Sequence, residues 1–318
     1  MIPTFSWRHW IWSCFSNRRA AAGRRVRSRR SPWRDSTPAM IERLEQRIVL
    51  AAPHPFQLST LLPANGGTGA TGFALNGVAE NDHSGGSVQS AGDVNGDGLD
   101  DLLIGAQYAD PDSRDRAGAT YLVFGTVEGT QASLNLADLN GTNGFVLNGI
   151  NVGDRSGCAV SGAGDVNGDG FDDLLIGALY ASNFSGFGQS YVVFGGLANL
   201  DALDDVTSGG GTANDGRINL ADLNGTNGFV LNGLVAFDYS GFAVSGAGDV
   251  NGDGFDDLLI SAHRADPNGY DSGQSYVVFG GLANLDALDD VTGSGGTAND
   301  GRINLADLNG TNGFVLNG

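Results

Sequence analysis

Apolar residues along the chain come in short runs of three to five, each bounded by Gly, Asn, Asp or Ser, a pattern that predicts strands. The runs recur in a fixed order. Gly72-Phe73-Ala74-Leu75-Asn76-Gly77 comes first, then Val88, then Leu102-Leu103-Ile104, then Tyr121-Leu122-Val123-Phe124-Gly125. The order repeats with Gly144-Phe145-Val146-Leu147-Asn148-Gly149, Leu174-Leu175-Ile176 and Tyr191-Val192-Val193-Phe194-Gly195. It repeats again with Gly228-Phe229-Val230-Leu231-Asn232-Gly233, Leu258-Leu259-Ile260 and Tyr276-Val277-Val278-Phe279-Gly280. Four short strands per unit, repeated in sequence, are the pattern of β-propeller blades.

The expected fold is therefore all-β, with antiparallel four-stranded blades in an incomplete propeller. The spacing divides the chain into a leader (1–52), a linker (53–71) and blades at 72–143, 144–227 and 228–312. Residues 313–318, Gly-Phe-Val-Leu-Asn-Gly, read as the first strand of a fourth unit, so closure between chains is one expectation. The second and third connectors add Leu-Ala-Asn-Leu-Asp-Ala-Leu, in which Leu200 and Leu203 suggest one helical turn.

Charge separates the head from the body. Residues 1–50 hold eleven of the 17 basic residues, all arginine, and three acids. The remainder carries six arginines against 33 acids, a net charge of −27. Such a body repels nucleic acid, and no stretch of ~18 apolar residues offers a transmembrane helix. Two cysteines, Cys14 and Cys158, make no disulfide framework.

The acids concentrate in three loops that start 72 and then 84 residues apart. Asp93, Asn95, Asp97 and Asp101 offer side-chain oxygens at positions 1, 3, 5 and 9, and Leu99 at position 7 offers its carbonyl. The second loop repeats this set as Asp165, Asn167, Asp169, Phe171 and Asp173, the third as Asp249, Asn251, Asp253, Phe255 and Asp257. Ca²⁺ takes six to eight oxygen ligands, and a glycine at position 6 lets the odd positions turn toward one centre. Three calcium sites are therefore expected. An EF-hand would place Glu at position 12 between helices, whereas this chain has Ile104, Ile176 and Ile260 leading into strands. Asp100, Asp172 and Asp256, between ligand positions, are expected to face solvent.

Catalytic chemistry finds no support. His83 aligns with Arg155 and Tyr239, and His263 with Gln107 and Leu179, so neither histidine belongs to the repeated design. Cys158 aligns with Gly86 and Phe242, which marks a packing position. Asn140-Gly141-Thr142 and its copies at 224–226 and 309–311 read as turns.

The unit resembles the FG-GAP repeat of the integrin α-subunit propeller. The Asp-rich loop carries the resemblance, while Ser-Gly at 84, 156 and 240 stands where the family has Phe-Gly. The resemblance implies a propeller, usually seven-bladed, with calcium on one face and a role in adhesion or recognition of a protein or carbohydrate ligand. The alternative is the propeller portion of an exported hydrolase whose catalytic part lies outside this chain. Leu44-Glu45-x-Arg47-x-Val49-Leu50 resembles the LEPR-XLL segment of large bacterial surface and secreted proteins, which implies export.

Overall fold

A computed structural model describes residues 57–126, 132–181, 186–204, 214–289 and 299–318. The basic leader and its LEPR-XLL-like segment lie outside the described residues. After two 3-10 turns at Leu58–Leu61 and Pro63–Asn65, the body is almost entirely β.

Three antiparallel four-stranded sheets follow. The first joins β2 (Ser87–Gly92), β3 (Asp101–Ala106), β4 (Ala119–Val123) and β6 (Gly144–Asn148). The second joins β7 (Ser156–Gly164), β8 (Asp173–Ala178), β9 (Gln189–Val193) and β11 (Gly228–Asn232). The third joins β12 (Ser240–Gly248), β13 (Asp257–Ala262), β14 (Gln274–Val278) and β16 (Gly313–Asn317). Each sheet has the make-up of a propeller blade, and among the described residues the blades form no closed ring.

The phase of the repeat differs from the sequence expectation. Gly-Phe-Val-Leu-Asn closes the blade before it instead of opening the blade after it: β6 pairs with β4, with Leu122 opposite Phe145. In the same way β16 pairs with β14 and completes the third blade, so it does not begin a fourth. Three of the four strands of each blade stand out as apolar runs, while the inner strands β2, β7 and β12 are rich in Ser, Gly and Ala. The run of Gly-Phe-Val-Leu-Asn is separated from both neighbours by polar turns, and its partner is chosen by sheet closure, which a linear pattern does not record.

Short connector strands then bind each blade to the preceding one. β10 (Arg217–Asn219), from the second blade's connector, runs parallel to β6 of the first. β15 (Arg302–Asn304) does the same for β11, and β5 (Ser133–Asn135) for β1 (Ala74–Asn76). These outer strands occupy edges that would otherwise be open to foreign pairing.

Side-chain alternation along the middle blade serves both its neighbours. Leu174, Ile176 and Tyr191 pack toward the first blade, against Leu103, Leu122 and Phe145. Leu175, Val192 and Phe229 pack toward the third, against Leu258, Ile260 and Tyr276. The apolar run in the connector forms a two-turn helix, α1 (Leu197–Asp204), repeated as α2 (Leu282–Asp289). Leu200 and Leu203 are fully buried, each worth roughly 1.5–3 kcal/mol of transfer free energy. Asp204 at the helix end accepts the Gly216 and Arg217 amides at 2.9 and 3.0 Å, which fixes β10 beside β6.

Candidate metal centre

Each Asp-rich loop joins the inner strand of a blade to the next strand, so all three lie at the same end of their sheets. Within the first loop Asp93 organises the turn. Its Oδ1 accepts the amides of Gly96 (2.9 Å) and Asp97 (3.0 Å), and its Oδ2 accepts that of Gly98 (2.9 Å). The Asn95 Oδ1 accepts the Asp97 amide at 2.8 Å, and the Asp97 Oδ1 accepts the Leu99 amide at 2.9 Å. Gly98 makes this winding possible at φ +87°, where a side chain would be strained.

The pattern is reproduced in the other two loops. Asp165 accepts Gly168 at 2.7 Å and Gly170 at 2.9 Å, and Asp249 accepts Gly252 at 2.6 Å and Gly254 at 3.0 Å. Asp169 accepts Phe171, and Asp253 accepts Phe255, at 2.9 and 3.0 Å.

Position 9 is of another kind. Asp101, Asp173 and Asp257 are completely buried. Each spans its loop: Asp101 accepts Val94 at 3.0 Å on one oxygen and Gly125 at 2.8 Å on the other. Burial pushes the Asp101 carboxyl up to about 6, with the nearby Asp97 charge adding to the rise. Burial likewise pushes Asp173 up to about 8, with Asp169 and Asp165 contributing. Positions 1, 5 and 9 are thus close enough to repel one another, which a bound cation would relieve.

The donor set suits a hard cation. Among the described residues no three acidic, histidine or cysteine side chains converge into a cage by themselves. The candidate shell is therefore mixed, with carboxylates joined by the Asn95 amide and the Leu99 carbonyl, as Ca²⁺ takes them. A carboxylate has about four acceptor sites, and Asp101 uses two on amides, which leaves capacity for a metal.

The intervening aspartates do not simply face solvent. Asp172 reaches back to the first loop, its Oδ2 accepting the Asp93 amide at 2.7 Å while its own amide donates to the Asp93 carbonyl at 3.3 Å. Asp256 does the same to Asp165, at 3.0 and 3.2 Å. Gly196 and Gly281 add amide bonds to the carbonyls of Val94 and Val166, at 2.8 and 2.7 Å. The Phe171 ring lies over Gly96 and the Phe255 ring over Gly168, each where a β-carbon would collide. Each of the first two loops is therefore part of a blade-to-blade joint. Asp100 has no such partner among the described residues.

Cys158 packs between blades, its thiol donating to the carbonyls of Gly177 (3.3 Å) and Gly241 (3.5 Å). The Asn140 amide oxygen accepts the Thr142 amide and hydroxyl at 3.0 and 2.6 Å, so this tripeptide closes a turn.

Sequence reasoning missed the opposite end of the sheets. There His83, Tyr108, Arg155, Tyr180, Tyr239 and His263 stack in a row across all three blades. The signal was present as departures from the repeat, since these are positions at which the three copies differ.

Four-stranded blades carrying Asp-rich loops at one end define a propeller-type repeat protein. Direct comparison agrees: the FG-GAP repeat pattern matches residues 84–123, 159–193 and 240–278. Integrin alpha-PS2 of Drosophila melanogaster is 31% identical over 175 residues, 55% of this chain and 11% of the fly protein. Integrin alpha-3 of Cricetulus griseus is 31% identical over 179 residues, covering 56% and 14%. Integrin alpha-6 of Gallus gallus is 36% identical over 104 residues, covering 32% and 8%. The chain carries three FG-GAP repeats and is similar to integrin α subunits, and its matches span less than a sixth of these relatives. No helix among the described residues is long and apolar enough to cross a membrane.

Proposed function

We propose that this chain is a calcium-binding recognition or adhesion module of a secreted or surface protein of bacterial type, and that it is not an enzyme. The observation that carries the reading is the threefold recurrence of one hydrogen-bonded Asp-Asn-Asp turn, each closed by a buried aspartate at position 9. The proposed ligands are Asp93, Asn95, Asp97, Leu99 and Asp101 in the first loop. In the second they are Asp165, Asn167, Asp169, Phe171 and Asp173, and in the third Asp249, Asn251, Asp253, Phe255 and Asp257, with Leu99, Phe171 and Phe255 using main-chain oxygens. Calcium here is structural: it neutralises the crowded carboxylates and stiffens loops that also join blades. The similarity to integrin α subunits supports the adhesion reading, and the export-type leader supports an extracellular location.

Calorimetric calcium titration tests the loops. The unmodified chain is expected to give saturable heat, and the triple variant Asp97→Ala, Asp169→Ala, Asp253→Ala to lose it. Equal heats from the two proteins would remove the basis of the reading.

A further inference from the structure

The face opposite the Asp-rich loops holds a cleft lined by arginine, histidine and aromatic residues. β3 carries the loop acid Asp101 at its start and runs to Ala106, with Gln107 and Tyr108 just beyond. Six residues of strand place the two faces roughly 20 Å apart. A cleft of about 290 Å³ opens there between residues of all three blades. Although the body carries 33 acids, none lines it, whereas Arg155, Arg264 and His263 do.

Arg155 is held as a fixed cation. Its guanidinium carbon lies 4.8 Å from the Tyr108 ring centre and 4.4 Å from that of Tyr180, so two tyrosine rings flank it. No carboxylate of the described residues pairs with it, in contrast to Arg114, which meets Asp112 at 2.7 Å. The N–H groups of a guanidinium can grip a carboxylate in a fork. Arg264 lies 5.3 Å above Tyr239 and adds a second cation.

The walls between these cations are rings. Tyr180 meets Tyr239 at 5.2 Å, and Phe242, about half exposed, meets His263 at 3.9 Å. An acidic amino-acid side chain would satisfy the guanidinium yet leave the half-exposed Phe242 ring wet. A sugar ring bearing a carboxylate meets both in one unit, and a cleft of about 290 Å³ lies at the small end of ligand clefts.

We infer that this cleft binds a uronic-acid-type sugar residue of an acidic carbohydrate, with Arg155 and Arg264 as the cations for the carboxylate and the half-exposed Phe242 against the ring. The inference rests on the recognition reading above and supplies its ligand class.

The test uses the full chain at fixed calcium and three probes. These are a uronic-acid tetrasaccharide, its carboxyl-reduced neutral form, and tetraglutamate. The acidic sugar is expected to bind at least about tenfold more tightly than either other probe, and Arg155→Gln and Arg264→Gln are each expected to weaken it about tenfold. Arg264 is exposed, so its substitution guards against a folding defect at Arg155. Equal binding of the neutral sugar, equal binding of tetraglutamate, unchanged affinity in the Arg264 variant, or no binding of any probe would each overturn the inference. Calcium heats measured on the same samples separate the two readings. Calcium heat without sugar binding removes only the ligand class, and sugar binding without calcium heat removes only the metal role.

Discussion

At the scale of single residues, Asp172 does two jobs that its place in the loop conceals. It sits beside the buried Asp173, and its carboxylate anchors the amide of Asp93 in the neighbouring blade. A charge-assisted bond of this kind, partly shielded from water, contributes on the order of 1–2 kcal/mol. Asp172→Ala is therefore expected to lower the urea midpoint by a corresponding amount. Asp100→Ala, at the same loop position but with no such partner, should stay within about 0.5 kcal/mol of the parent. Equal losses in the two variants would show that the carboxylate acts inside its own loop and not across the joint. The sequence displayed all three aspartates at position 8 as equivalent. What distinguishes Asp172 is a contact 79 residues away, which no local spacing encodes.

At the scale of elements, the blades approach each other closely because glycine stands at their crossing points. A β-carbon on Gly105 would lie 2.1 Å from the Gly157 carbonyl oxygen, and one on Gly177 would lie 2.1 Å from that of Gly241. These neighbours are backbone and cannot turn aside, so the sheets must part to admit a methyl group. Gly105→Ala is expected to destabilise the protein by roughly 1–3 kcal/mol, the usual cost of overpacking. Thermal unfolding measures it, and a variant as stable as the parent would mean that the sheets slide freely. The existence and type of three strands in each blade were legible, since runs such as Leu102-Leu103-Ile104 and Tyr191-Val192-Val193 are bounded by turn residues. The membership of Gly144–Asn148 was not, because a repeated unit can be cut at any point of its cycle without altering its pattern. The turn chemistry of the metal loops was equally legible, since Asp, Asn and Gly act over two to five residues. The aromatic and arginine row was illegible for the opposite reason. It is built from positions such as Arg155 and Tyr239 that the repeat leaves variable, and only the stacking of blades brings them together.

At the scale of the whole molecule, the Asp-rich loops and the blade joints are one structure, so pH and, on the proposed reading, calcium act on stability together. Asp101 and Asp173 start from an unfolded value of 3.8, and burial raises them to about 6 and about 8 in the folded chain. An acid whose folded value is raised holds its proton in the native state where the unfolded chain has released it. Its effect on stability is therefore lost as pH rises, here from about 4 through 8. Without divalent cations the protein is expected to melt at a lower temperature at pH 8 than at pH 5, and the −27 charge of the body acts in the same direction. On the proposed reading, calcium takes the place of those protons. Its stabilisation should be large at pH 8 and small at pH 5, and its uptake near pH 7 should release protons into a weakly buffered solution. Because Asp93 and Asp165 supply both a loop turn and a joint to the next blade, chelation should also speed amide exchange at these two residues. Melting curves at the two pH values, with chelator and with excess calcium, decide the matter. A chelated protein that gains stability from pH 5 to pH 8, or one indifferent to calcium at pH 8, would show that the buried aspartates are held by their amide bonds alone.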